Sequence, residues 1–92
     1  MDIYVQIAIR IISQQELIIG PVAVQQAQQV DGISVDWANH TVSIVGDEKE
    51  AVEELIEAYR DLFGQIAVEA SKEAVASLAN KLKPEELPDL LK

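Results

Sequence analysis

From Ile3 to Ile12, apolar and polar positions follow two periods at once. Ile3, Val5, Ile7, Ile9 and Ile11 recur at every second residue. That spacing in β-branched residues predicts a strand with one buried face. Asp2, Gln6, Arg10 and Gln14 recur at every fourth residue, which would instead draw one polar stripe along an otherwise apolar helix. The strand is favoured, because the β-branched alternation runs without a miss. Next, Ser13-Gln14-Gln15-Glu16 has the S-x-x-E spacing of a capping box and predicts a helix start before Leu17-Ile18-Ile19. Pro21 then withholds a backbone donor and crowds the carbonyl of Leu17. If Ser13 is the cap, a helix bends at Gly20-Pro21 and runs on to Val30. If residues 3–19 are one helix instead, Gly20 is its C′ residue and Pro21 is the first residue of the next. Residues 22–30 are helical in both readings, with Gln25, Gln26, Gln28 and Gln29 largely outside.

Asp31-Gly32 breaks that helix. Ile33, Val35 and Trp37 alternate, Ala38-Asn39-His40 turns the chain, and Thr41 to Val45 returns, which predicts an antiparallel hairpin. Asp47 then has the place of an N-cap with Glu50 three residues on. Val52, Leu55, Ile56, Tyr59, Leu62 and Phe63 carry a 3.6-residue period up to Gly64, a natural stop. Ile66 and Val68 alternate, so residues 65–70 read as a short strand. A helical phase through Ile66, Ala70, Ala74 and Leu78 is the alternative. Ser71 is the expected cap of a last helix over residues 72–82, and Pro84 suits the first turn of a helical tail. No internal repeat and no linker stand out. Residues 1–83 therefore read as a single α+β domain, with 84–92 as a short C-terminal tail.

This order of elements is that of the ferredoxin-like βαββα(β) fold with an added C-terminal helix. A helical protein with one central β-hairpin is the alternative. The stretch VDGISVDWANHTVSIVGD, followed by a helix with Ile56 and Leu62, resembles the second half of a heavy-metal-associated domain. The resemblance covers about a third of the chain and implies two helices on one face of an antiparallel sheet, the other face left open. That family holds metal through two cysteines in the loop after its first strand. Ser13, Gln14, Gln15 and Glu16 stand there instead, so the resemblance implies the fold without the metal.

Composition narrows the chemistry. The chain has 92 residues, the size of one domain, and four aromatics (one Trp, two Tyr, one Phe), so its core is aliphatic. A formal charge of −9 argues against nucleic acid and against anionic membrane surfaces. Without cysteine there is no disulfide, no thiolate metal site and no thiol nucleophile. The expected setting is the cytoplasm. The opening Met-Asp has no basic run, and no stretch reaches the ~20 apolar residues of a membrane span, so a soluble protein is expected.

Candidate sites are few. His40, with Asp36 and Ser34 or Ser43, would be the material of a catalytic group, but a hairpin tip offers no pocket to exclude water. Glu50, Glu54, Glu57 and Asp61 share one helical face, which reads as a charge-laced surface and as the docking face for any basic partner. No glycine pattern cradles phosphate. The expected function is a non-enzymatic protein-interaction or self-association module without a cofactor, binding a protein partner or itself as a homo-oligomer. Its candidate surfaces are Tyr4, Ala8 and Ile12 on the open face of the first strand; Trp37, for which core packing is favoured over a binding anchor; and Leu87, Leu90 and Leu91, in a tail favoured to pack on its own domain or fray over serving as a short docking motif. A small regulatory ligand-binding domain is the alternative.

Overall fold

Asp2 opens the first helix rather than a strand. In the computed structural model, which describes residues 2–92, its carboxylate accepts from the backbone N–H groups of Tyr4 (2.8 Å) and Val5 (3.4 Å). Two otherwise unpaired donors of a helix start are thereby satisfied. The helix, α1, runs Ile3–Ile19 and is followed by the short α2, Val22–Gln28. Strands β1 (Ile33–Asp36) and β2 (Thr41–Ile44) form a two-stranded antiparallel hairpin, with Ile33 opposite Ile44 and Val35 opposite Val42. A 3₁₀ turn over Trp37–Asn39 joins them. The long helices α3 (Glu48–Phe63) and α4 (Gln65–Ala79) follow, and two 3₁₀ turns, Pro84–Glu86 and Asp89–Leu91, end the chain.

The ferredoxin-like expectation is corrected by this order. The structure is a helical bundle with one central hairpin, the alternative of the two readings. Residues 3–12 are helical because α1 sits at the centre of the molecule, packed against α2, α3, α4 and β2. Burial from several sides asks for apolar residues around most of a helix, and this overrides the β preference of isoleucine. Ile7, Ala8, Ile11 and Ile12 have no exposed surface. Ser13 caps nothing and lies inside α1. Residues 65–70 are the first turns of α4, and Ser71 is buried within that helix, not at its start. The hairpin and the cap of α3 are as expected, with Asp47 accepting from the N–H of Glu50 at 3.1 Å.

The core gathers Ile7, Ile11 and Ile12 of α1, Val52, Leu55, Ile56 and Tyr59 of α3, and Val68, Val75 and Leu78 of α4. Each large side chain so buried contributes roughly 1.5–3 kcal/mol. The tail closes one end of the bundle. Leu91 is buried, and Tyr4 donates its hydroxyl to the carbonyl of Glu86 at 2.7 Å. Lys49 donates to the carbonyl of Glu85 at 2.8 Å, and the Leu90 N–H donates to the Glu53 carboxylate at 2.9 Å. Among the described residues no helix is long and apolar enough to cross a membrane.

Candidate functional site

The opposite end of the bundle is built from two helix–glycine–helix corners. At the first, α1 passes into α2 through Gly20 (φ 74°, ψ −156°). At the second, α3 passes into α4 through Gly64 (φ 80°, ψ −166°). Backbone of this kind belongs almost only to glycine. A Cβ at either position would meet nothing within 4 Å, so conformation rather than space requires glycine there. Each glycine N–H donates four residues back, Gly20 to Glu16 (2.9 Å) and Gly64 to Arg60 (2.7 Å). Each glycine carbonyl accepts from an alanine three residues on, Ala23 (3.0 Å) and Ala67 (3.1 Å).

The corners also hold each other. Gln15, five residues before Gly20, donates its side-chain amide to the carbonyl of Ala67 at 3.0 Å. Tyr59, five residues before Gly64, donates its hydroxyl to the carbonyl of Ala23 at 2.6 Å. Both donors are buried. Exchange of this kind, in which i contacts j while the equivalent of j contacts the equivalent of i, is the mark of a two-fold relation. The sequence carries it as GPVAV at Gly20 and GQIAV at Gly64. The repeat is only five residues long and is visible when the two glycines are aligned. Ser71 completes the seam, accepting from Gln15 at 3.2 Å and donating to the Ala67 carbonyl at 2.9 Å. Burial, with the charge of Glu16 second, holds the Tyr59 hydroxyl well above the ordinary tyrosine range.

Above this clasp the end is apolar. Seven large hydrophobic side chains stand out as exposed among the described residues: Leu17, Ile18, Val22, Leu62, Phe63, Ile66 and Val45. All but Val45 lie within three residues of Gly20 or Gly64. Two equivalent pairs are apolar in both corners: Ile18 and Leu62 are 56% and 54% exposed, Val22 and Ile66 43% and 74%, whereas Leu17 has Asp61 as its equivalent. Neither corner segment, 17–24 or 62–68, contains a charged residue.

Beside the end runs an acidic flank. Glu54, Glu57 and Asp61 of α3, with Gln29, Val30 and Asp31, line an open groove of about 440 Å³. A smaller one of about 250 Å³ adjoins it, lined by Asp47, Glu50 and Val45 and sharing Asp31 and Glu54. Arg60 pairs with Glu57 at 3.7 Å and with Asp61 at 3.8 Å, exposed pairs of small energetic worth. No group of three or more His, Asp or Glu side chains suited to a metal ion occurs among the described residues.

The residues singled out from sequence lie elsewhere. Ala8 and Ile12 are in the core, and Tyr4 is half-buried under the tail. Leu87 and Leu90 are half-buried and Leu91 is buried, all packed on their own chain. Trp37 is half-buried between the hairpin and α1, its indole N–H donating to Glu16 at 3.1 Å. His40 takes a left-handed conformation (φ 51°), with its ring 4.5 Å from that of Trp37. Asp36 accepts from Asn39 at 2.7 Å, so the structure couples His40 to Trp37 and Asp36 to Asn39.

The fold and this end together define a class: a small helical bundle carrying one hairpin, closed by its tail at one end and apolar at the other. The chain matches no family model, no curated protein and no solved structure. The sheet implied by the resemblance to heavy-metal-associated domains is not formed, since residues 3–12 and 65–70 are helical.

Proposed function

We propose that this protein is a non-enzymatic interaction module of the cytoplasm that engages a protein partner through the apolar end of its bundle. The observation that carries this reading is the concentration of exposed large hydrophobics around the two glycine corners. Single exposed apolar residues are ordinary, but a contiguous uncharged cluster marks a contact surface. The conformationally restricted corners support it further, because a surface held by buried hydrogen bonds loses little freedom on binding. The test is retention of a partner in stoichiometric amount by the immobilised chain, whether itself or another protein, and loss of that retention in Ile66→Glu. A chain that neither self-associates nor retains anything sinks the reading.

A second reading, a small regulatory ligand-binding domain, is favoured by the groove along α3. Its six carboxylates, from Asp31, Asp47, Glu50, Glu54, Glu57 and Asp61, select for a cationic ligand. Thermal shift against a panel of diamines and polyamines tests it. A rise in melting temperature abolished by Glu54→Gln supports it, and a flat response across the panel counts against it.

A further inference from the structure

The apolar end has no charge within segments 17–24 and 62–68, is bordered by exposed Asp61, and belongs to a chain of charge −9. Each property narrows what covers it. A basic protein would be drawn to the carboxylates of α3 rather than to the corners. An acidic protein can approach only where its own charges and those of this chain stay apart, and the corner segments are such a place. An apolar surface is complementary to itself, whereas a surface of carboxylates is not. The matched pairs Ile18 with Leu62 and Val22 with Ile66 let one copy meet another across a symmetry axis with like residues facing like. The six side chains together expose on the order of 600 Å², the upper end for the largest patch of a monomer. That is most of the ~800 Å² per partner of a standard interface.

We infer that the partner is a second copy of this chain, docked end to end so that both pairs of glycine corners meet across a two-fold axis and the acidic flanks point outward. This inference rests on the interaction reading above and names its partner. A weak or moderate dimer is expected from the area, formed with rising concentration.

Sedimentation equilibrium of the full chain between about 1 and 100 μM tests it, with four variants beside the natural protein. Val22→Glu and Ile66→Glu place carboxylates in the first turns of α2 and α4, where the helix dipole favours them, so the fold is kept. Leu17→Arg attacks the same surface from α1, at a side chain 82% exposed. Val45→Glu, at a side chain 75% exposed and outside both corner segments, is the control. The natural chain and Val45→Glu should dimerise alike. Ile66→Glu should raise the dissociation constant at least about tenfold, and Val22→Glu/Ile66→Glu should be monomeric at about 100 μM with an unchanged circular dichroism spectrum. Leu17→Arg should weaken the dimer as well. A natural chain that is monomeric throughout, or a dimer indifferent to Leu17→Arg and to the double variant, overturns the inference. If that monomer still retains another protein through Ile66, only the second-copy inference falls. If it retains nothing, the interaction reading falls with it.

Discussion

The two glycine corners share a backbone and differ in what they hold. Both have the same torsions, the same pair of hydrogen bonds and a buried alanine three residues on. One leads through Pro21 into a helix of 7 residues, the other through Gln65 into one of 15. The donor of the first corner is a glutamine and that of the second a tyrosine. An identical turn is thus satisfied by two unrelated side chains, because all it asks is one buried donor aimed at one alanine carbonyl. The geometry of the clasp is therefore more constrained than its composition.

The comparison is broken most severely at the donors. Tyr59→Ala should cost about 4 kcal/mol in urea unfolding, because losing a fully buried ring leaves a cavity and removes the hydrogen bond to Ala23. Gln15→Ala should cost about 2 kcal/mol, since Ser71 still donates to the Ala67 carbonyl. Equal losses would show that the two donors bear equal weight, against the packing described.

Next come the glycines. Gly20→Ala and Gly64→Ala should each cost about 2 kcal/mol through backbone strain alone, as neither Cβ meets a neighbour. Melting temperatures that fall unequally by the equivalent of more than about 1 kcal/mol would mean that the corners are not equivalent.

Tyr59→Phe removes one hydrogen bond and should cost about 1 kcal/mol near neutral pH. It also sharpens the comparison through pH. The folded-state Tyr59 hydroxyl titrates above its unfolded value. Its contribution is therefore intact below pH ~10, where both states are protonated, and is lost as pH rises and the unfolded chain ionises first. The natural protein should lose stability as pH rises above ~10, and Tyr59→Phe should lose less. The remaining slope belongs to Tyr4, which burial and then Glu86 also raise. The smallest effect is Pro21→Gln, which gives the first corner the residue of the second. Greater freedom of the unfolded chain should cost about 0.5 kcal/mol, read from the urea midpoint.

Where the chain announces structure locally, its sequence could be read. Asp47 and Glu50 sit at capping distance, Asp31-Gly32 ends a helix, and alternating residues with a turn between them make the hairpin. Gly64 stops a helix because its conformation is written in its own residue type. Helix α1 is not legible locally because its evidence lies outside itself: only the neighbours that enclose it make sense of isoleucine at both odd and even positions. The start of α4 misled for the opposite reason. Ile66 is 74% exposed and Val68 is buried, so their alternation records two environments and no pleat. The apolar end was hidden in the same way. Leu17, Leu62 and Ile66 look like core residues until helices surround the positions beside them.

The bonds that α1 makes to α4 and to the tail also set the order in which the molecule can be completed. Gln15 waits 52 residues for Ala67, Arg10 waits 67 for Ser77, and Tyr4 waits 82 for Glu86. At a synthesis rate of roughly 5–20 residues per second, those gaps are on the order of several seconds. During that time the isoleucines of α1 have only α2, the hairpin and the growing α3 against which to shelter. On the ribosome, the central helix is made before every element that encloses it, and it stays partly uncovered until α4 and the tail arrive.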